Sequence, residues 1–262
     1  MVGLIDSGIG GLTIAAEIRR FAPGAALAYV ADTAHFPYGN RDARDIVAWC
    51  DAMVRWLMER HDPRVLVLAC NTATAAGVEE LRSRFDVPIV AVEPAIKPAA
   101  LASTCGRIGV LATAHTVASG RLERLVRSHA GSSEVLAQSC EGLAEALETH
   151  WPDLDPIKEP LRRWLDPLLE FGVDTIVLGC THYPLARRAI ESIVGPDVRV
   201  IDSGEAVARR VLEIGGSLPT GPVTLHSTAE APALGRVGGT ITGAPVPVGR
   251  LRWIEGSLTD DA

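Results

Sequence analysis

The stretch VLVLACNT (Val65–Thr72) is a short run of aliphatic residues that ends in a cysteine and a polar turn. A second stretch, TIVLGCTH (Thr175–His182), repeats that order 110 residues further along the chain. Each stretch predicts a buried strand that runs directly into a thiol and is followed by a helix. The two thiols, Cys70 and Cys180, are therefore expected at the carboxyl ends of strands, the edge at which open α/β sheets bind ligands.

The sequence upstream of the two thiols is also repeated. The segment GLIDSG (Gly3–Gly8) precedes the first thiol and GVLATA (Gly109–Ala114) precedes the second, and the separations from Asp6 to Cys70 and from Thr113 to Cys180 are 64 and 67 residues. Such a repeat predicts two similar three-layer α/β units with mostly parallel sheets and an active site in the cleft between them. We expect residues 1–95 plus about 207–262 to form the first domain and 96–206 to form the second.

The alternation of apolar runs and helical patterns gives the individual elements. Strands are predicted at Val2–Ile5, Leu27–Val30, Val65–Ala69, Ile89–Val92, Ile108–Leu111, Thr175–Leu178, Val198–Ile201, Val223–His226 and Val248–Trp253. Helices are predicted at Gly11–Phe21, Asp42–Arg60, Thr74–Arg84, Thr116–Ser128, Gly142–His150, Glu159–Phe171, Pro184–Val194 and Glu205–Ile214.

Composition excludes several classes of function. Lys and Arg total 25 against 32 Asp and Glu, a net charge of −7, and the chain has no long basic run, so no nucleic-acid partner is expected. No apolar stretch is long enough to span a membrane and the N-terminus lacks the pattern of an export signal, so we predict a cytoplasmic protein without a membrane partner. Five cysteines without a C-x-x-C pair favour reduced thiols over a disulfide framework.

Two thiols at equivalent places in repeated units suit a limited range of chemistry. Thr72 or Thr74 is expected to cap the helix after Cys70, and Pro184 suits the first turn after Cys180; a helix N-terminus favours a thiolate. Disulfide exchange normally uses adjacent cysteines, and zinc requires more ligands than this spacing supplies, so no metal is predicted. A thiolate on one side and a thiol on the other fit the inversion of a carbon centre by proton transfer.

A glycine-rich turn, DSGIGG (Asp6–Gly11), leaves an alternative of another class open. It follows a strand and opens a helix, and Asp32 lies about where a ribose-binding carboxylate of a dinucleotide-binding module is found. The fingerprint is incomplete because Thr13 replaces its third glycine. The Asp6 carboxylate would also repel the negative charge of a phosphate group at this turn, whereas it would attract an ammonium group.

Four motifs together resemble the bacterial glutamate racemases: DSGIGG at Asp6–Gly11, DTAHFPYG at Asp32–Gly39, ACNTA at Ala69–Ala73 and GCTHYP at Gly179–Pro184. The similarity covers most of the chain up to about Glu205. It implies an isomerase without a cofactor that interconverts L-glutamate and D-glutamate and supplies D-glutamate for peptidoglycan, and thus for cell wall biogenesis and cell shape. The resemblance also implies a small-molecule substrate and a homodimer.

The resemblance further implies roles for individual residues. Cys70 acts on the D-enantiomer with Asp6 in support, and Cys180 acts on the L-enantiomer with His182 in support. Glu148 is the implied catalytic glutamate near Cys180, although Glu141 stands where the family has a proline. The implied substrate-binding residues are Asp6, Ser7, Tyr38, Gly39, Asn71, Thr72, Thr113, Thr116, Thr181 and His182.

Three other functions compete with this one. A racemase for aspartate or another small amino acid shares the two-cysteine plan, and only the sequence context of Asn71–Thr72 and Thr181–Pro184 favours glutamate. The dinucleotide-binding module would use Gly8–Gly11 and Asp32. A non-catalytic interaction protein on the same scaffold is the third alternative, because a fold does not fix a function.

Overall fold

A computed structural model describes residues 1–261, and the chain divides into two compact units. The first unit comprises Met1–Val92 and the chain from Gly204 onward, and the second comprises Glu93–Ser203. The division points predicted from sequence lie three residues further along at both places. Val92 falls in the first unit because its N–H donates to the carbonyl of Leu68, and Ser203 falls in the second because its hydroxyl donates to the carbonyl of Glu93.

The strands and helices alternate through most of the chain. The strands are β1 (Val2–Asp6), β2 (Leu27–Ala31), β3 (Val65–Leu68), β4 (Ile89–Ala91), β5 (Arg107–Ala112), β6 (Glu134–Ser139), β7 (Thr175–Leu178), β8 (Arg199–Ile201), β9 (Val223–Ser227), β10 (Val248–Ile254) and β11 (Ser257–Asp260). The helices are α1 (Leu12–Phe21), α2 (Ala43–His61), α3 (Asn71–Arg84), α4 (Ile96–Ala102), α5 (Ala114–Val117), α6 (Gly120–His129), α7 (Leu143–His150), α8 (Lys158–Phe171), α9 (Arg187–Val194), α10 (Gly204–Gly215) and α11 (Pro232–Thr242).

The first unit is built on a seven-stranded sheet of order β11-β10-β9-β2-β1-β3-β4, in which only β11 runs antiparallel to its neighbour. Strand β1 is central and pairs with both β2 and β3, so the carboxyl ends of these three strands lie side by side. Helices α2 and α3 pack on the sheet through a core that includes Met53, Leu57 and Leu68. Helix α1 packs against α10 and α11.

The second unit has a four-stranded parallel sheet of order β6-β5-β7-β8. Alternate side chains of its central strands enter two different cores, as the two-residue period of a strand requires. Val110 and Val177 pack with α4 and α6, whereas Leu111, Ile176 and Leu178 pack with α7, α8 and α9. The unit therefore has three layers, and the fold class predicted from sequence, α/β with mostly parallel sheets, is confirmed.

The C-terminal part of the first unit was only partly predictable. The sequence indicates β9 and β10, but α11 between them is missed because Gly235, Gly238 and Gly239 lower its helix propensity. Gly238 packs closely on β9, since a Cβ there would lie 2.5 Å from Cδ1 of Leu225 and would force that side chain to shift. The short strand β11 is also missed.

Three predicted helices differ from the structure. The predicted helix Thr116–Ser128 is wrong as one element: α5 ends at Val117 and α6 begins at Gly120, because the Ser119 hydroxyl caps α6 by accepting from the N–H of Leu122. The predicted helix Pro184–Val194 begins with a 3-10 turn before α9. The helix predicted from Thr74 starts three residues earlier, at Asn71, and β6 and α4 were not predicted.

Candidate active site

The first thiol lies at the point where β3 passes into α3. Cys70 itself is the N-cap residue of α3, and its sulfur accepts from the N–H of Ala73 at 3.5 Å. The expectation that Thr72 or Thr74 caps this helix is therefore wrong, because the helix begins one residue after the cysteine. A sulfur atom at a helix N-terminus experiences the positive end of the helix dipole, which favours the thiolate.

A carboxylate and a hydroxyl lie next to Cys70 on the neighbouring strand. Ser7 follows β1, and its Oγ is 3.9 Å from the sulfur of Cys70 and donates to Oδ1 of Asp6 at 3.1 Å. The N–H of Gly8 donates to the same carboxylate oxygen at 3.1 Å. A Cβ at Gly11 would lie 2.7 Å from Asp6 Oδ2, so only glycine lets the backbone approach this carboxylate.

Tyr38 completes this group of side chains. It is fully buried in the same apolar core as Cys70, and burial, followed by the nearby Asp32, Cys50 and Cys70, raises its pKa well above the usual value. Its hydroxyl therefore stays protonated and donates to Asp32 at 2.6 Å. We call the side chains Asp6, Ser7, Tyr38, Cys70, Asn71 and Thr72 the first thiol cluster; all six are buried.

Gly39 and Asn71 occupy the edges of this cluster. Gly39 lies in the 3-10 turn Tyr38–Asn40 that follows Pro37. The Asn71 side-chain amide donates to the carbonyl of Val92 at 3.5 Å. The structure thus places Asp6 and Ser7 next to Cys70, with Asn71 and Thr72 directly after it in the chain.

The second thiol is supported by a histidine and a glutamate. Nδ1 of His182 is 3.9 Å from the sulfur of Cys180, and its Nε2 is 2.9 Å from Oε1 of Glu148 on α7. Burial disfavours the charged imidazole, but the hydrogen bonds with Cys180 and Glu148 outweigh this penalty and hold the pKa of His182 well above its usual value. The raised pKa favours the protonated imidazole next to the thiol.

Three threonines follow the ends of the neighbouring strands β5 and β7 in the second unit. Thr113 follows β5 and caps α5, with its hydroxyl 3.1 Å from that of Thr116. Thr116 and Thr181 are buried, as are Cys180 and His182. We call Thr113, Thr116, Glu148, Cys180, Thr181 and His182 the second thiol cluster. The two clusters occupy equivalent strand ends, but a helix N-terminus flanks the first thiol and an imidazole flanks the second.

The remaining cysteines do not share these surroundings. Cys50 and Cys140 are buried, and burial is the main cause that raises the pKa of each thiol, so both stay protonated. Cys105 is exposed. Among residues 1–261, no group of three or more His, Cys, Asp or Glu side chains is arranged to hold a metal ion.

Asp32 does not present a carboxylate to a ribose, as the dinucleotide alternative requires. Its side chain is fully buried and accepts hydrogen bonds from Tyr38, Thr228 and Trp253. Thr228 and Trp253 belong to the C-terminal part of the chain, and no sequence motif indicated their role. The structure therefore argues against a dinucleotide at this turn.

Comparisons with known proteins identify the family to which this chain belongs. The family model described as Asp/Glu/Hydantoin racemase matches residues 12–211. The glutamate racemase of Pseudomonas paraeruginosa is 45% identical over 232 residues, which cover 88% of this chain and 86% of that protein. The glutamate racemase of Pseudomonas aeruginosa PAO1 is 42% identical over 257 residues, covering 95% and 97%.

A solved structure is similar over nearly the whole chain. It is the Escherichia coli glutamate racemase in complex with L-glutamate and the activator UDP-MurNAc-Ala, with a TM-score of 0.88, 32% identity and coverage of 97% of this chain and 98% of that one. The chain belongs to the Asp/Glu/hydantoin racemase family. Racemases are isomerases, so the protein is an enzyme of that class, and the resemblance inferred from the four motifs is confirmed. Within residues 1–261, no helix has the length and apolarity needed to cross a membrane.

Proposed function

We propose that this protein is a glutamate racemase that uses Cys70 and Cys180 as its two acid–base groups and needs no cofactor. The observation that carries the proposal is the paired placement of a buried thiol at the end of β3 and of β7, each with polar side chains beside it. The names of the relatives support glutamate as the substrate. The proposal takes one thiol from each unit, Cys70 from the first and Cys180 from the second.

The reaction is a proton exchange at one carbon. For L-glutamate, the Cys180 thiolate takes the α-proton, so that the C–H bond breaks, an S–H bond forms and the electron pair delocalises into the α-carboxylate. The Cys70 thiol then donates its proton to the opposite face, which gives D-glutamate and a Cys70 thiolate. The reverse direction exchanges the two roles, and no electrons leave the substrate.

Each thiolate is stabilised in a different way. The N-terminus of α3 lies at Cys70 and the imidazole of His182 lies beside Cys180, and each can stabilise a negative charge that forms on sulfur during the reaction. Asp6 lies where it can attract the substrate ammonium group, while Ser7, Gly39, Asn71, Thr72, Thr113, Thr116 and Thr181 offer hydroxyl, amide and N–H groups to the two carboxylates. Excluding water from these groups strengthens each of these interactions during proton transfer.

The wider role follows from the product. D-glutamate made in the cytoplasm would supply peptidoglycan, and hence cell wall biogenesis and cell shape. We include a homodimer in the proposal because the resemblance implies one, and its test is the mass of the protein in solution by light scattering.

The test of the proposed reaction is incubation of purified protein with L-glutamate in heavy water without added cofactor. Because the enantiomers have equal free energy, optical rotation should fall to zero while deuterium enters the α-position. Because the equilibrium constant is one, kcat/KM is the same in both directions for every variant and cannot distinguish the two thiols. The rate at which deuterium enters the α-position of each enantiomer can, since each enantiomer is deprotonated by a different thiol.

Variants of the two thiols assign their roles. Cys180→Ser should stop racemisation yet still exchange the α-proton of D-glutamate, and Cys70→Ser should do the reverse. Cys105→Ser, which alters an exposed thiol, is the control and should behave as wild type. Normal racemisation by either Cys70→Ser or Cys180→Ser refutes the two-thiol assignment, and racemisation of aspartate in preference to glutamate refutes the substrate.

A further inference from the structure

The Asp32 carboxylate is a buried meeting point of four side chains. Its Oδ1 accepts from the Thr228 hydroxyl at 2.8 Å and from the indole N–H of Trp253 at 3.0 Å. Its Oδ2 accepts from the Tyr38 hydroxyl at 2.6 Å, and Nδ1 of His35 lies 2.9 Å from the same oxygen. Because the side chain is 0% exposed, these donors replace the water that a carboxylate otherwise binds.

The donors come from parts of the chain that are distant in sequence. Thr228 follows β9 and Trp253 lies in β10, 196 and 221 residues after Asp32. Tyr38, in contrast, belongs to the first thiol cluster and shares its apolar core with Cys70. The Asp32 carboxylate therefore connects the C-terminal strands to a tyrosine in the same buried core as the first thiol.

Loss of one donor changes the position of the others. A buried carboxylate that loses a hydrogen bond rotates or moves to recover it, because an unsatisfied buried charge is strongly unfavourable. The short bond from Tyr38 to Oδ2 is the one such a movement disturbs most directly, and a charge-assisted bond of this length fixes the position of the ring.

We propose that Thr228 and Trp253 are positioning residues for the first thiol cluster, acting through Asp32 on Tyr38 and so on the surroundings of Cys70. The part of the proposal that concerns catalysis rests on the proposed function, since it takes Cys70 as a reacting group. The part that concerns geometry does not depend on which reaction the protein catalyses.

Two variants remove single donors to Asp32. Trp253→Phe keeps an aromatic ring and deletes the indole N–H, and Thr228→Val keeps the shape and deletes the hydroxyl. The matched controls are Trp164→Phe, which changes a partly buried ring packed against the core of the second unit, and Thr228→Ser, which retains a hydroxyl. His35 stacks on Trp49 with ring centroids 4.0 Å apart and also contacts the Trp253 ring at 5.1 Å; Trp253→Phe keeps an aromatic ring at the second contact, and Thr228→Val changes neither residue.

The first readout is alkylation by iodoacetamide, followed for each cysteine by peptide mass spectrometry. Cys70 and Cys180 are matched in burial, at 6% and 7% exposure, so the ratio of their rates is an internal control against general loosening. We expect Trp253→Phe and Thr228→Val to raise the Cys70-to-Cys180 ratio by about tenfold, the factor expected for losing one hydrogen bond to a charged group. Both controls should keep the wild-type ratio.

The second readout is racemisation. We expect kcat/KM to fall by about tenfold in both test variants and to recover in Thr228→Ser. In a Tyr38→Phe background, Trp253→Phe should cause little further loss, because the connection to Cys70 is already broken.

The two readouts separate the two proposals. If wild-type protein fails to racemise glutamate but the alkylation ratio rises in the test variants, the proposed function fails and the positioning role stands. If wild type racemises and both test variants match Trp164→Phe in ratio and in kcat/KM, the positioning role is overturned. If Trp253→Phe does not fold, the comparison of Thr228→Val with Thr228→Ser decides. Equal Cys70-to-Cys180 alkylation ratios in those two proteins also overturn the positioning role.

Discussion

The pair formed by His182 and Glu148 makes the stability of the protein depend on pH in a defined direction. The His182 side chain is 3% exposed and that of Glu148 is 17% exposed, so water screens their interaction weakly. Replacing Glu148 with glutamine keeps a hydrogen-bond acceptor but removes the charge. The pKa of His182 should fall, and the variant should lose about 2 kcal/mol of unfolding free energy where His182 is protonated, the contribution of one hydrogen bond between charged groups.

The sign of the pH dependence follows from the raised pKa of His182. A histidine whose pKa is raised on folding adds stability that is fully present below its unfolded value, about 6.5, and is lost as pH rises through the folded value. The wild-type protein should therefore exceed Glu148→Gln in stability by the full amount at about pH 6. The difference should shrink at alkaline pH, where His182 is neutral in both proteins.

The assay is urea unfolding followed by circular dichroism at a series of pH values, together with NMR titration of the histidine side chains. Glu141→Gln is the control, because Glu141 is exposed at the start of the same region. A stability difference that stays constant from pH 6 to alkaline pH, or a His182 titration that does not move in Glu148→Gln, refutes this account of the pair.

Three further predictions concern the scaffold. A Cβ at Gly77 would lie 2.3 Å from Cγ2 of Val47, so Gly77→Ala should destabilise the first unit by about 1–3 kcal/mol, and adding Val47→Ala should recover most of this loss in urea unfolding. Burial opposes the charged form of Asp174, but hydrogen bonds from Ser103, Cys105 and Thr104 outweigh burial and lower the pKa of Asp174. Asp174→Asn should therefore unfold at a lower urea concentration than wild type at pH 7. The two midpoints should converge as pH falls below about 4, because Asp174 then becomes protonated. Burial, aided by the nearby His61, lowers the pKa of His226 to about 4. The wild-type protein should therefore lose stability as pH falls from about 6.5 to about 4. A series of thermal melts in which His226→Gln loses the same amount of stability over this range would contradict the prediction.

The sequence predicts the parts of the fold that depend on local pattern. The aliphatic runs before Cys70 and Cys180 identify two central strands, and the spacing of Ile46, Cys50, Met53 and Leu57 identifies α2 within one residue at each end. Long-range packing is not visible in such patterns. Gly238 weakens the helical signal of α11 yet fits against Leu225, and that contact appears only when β9 and α11 are assembled.

In the candidate site, too, residues within local motifs were predictable and contacts between distant residues were not. The motifs indicate the thiols and the polar residues next to them. Glu148 is assigned only through resemblance, and Glu141 departs from the pattern on which that assignment rests. Its contact with His182 crosses 34 residues, and no spacing rule predicts it. The Thr228 and Trp253 donors to Asp32 are further still in sequence, so only the assembled sheet reveals them.

The strand order of the first sheet has a consequence for synthesis of the chain on the ribosome. Strand β2 is made early, but its neighbour β9 is made about 200 residues later. At a synthesis rate of about 5–20 residues per second, one edge of β2 stays open for roughly ten seconds or more, long enough for the second unit to fold. An open edge invites pairing with other nascent chains, and arrival of β9 and β10 closes it. The last strands to emerge thus end the period in which this chain is most exposed to aggregation.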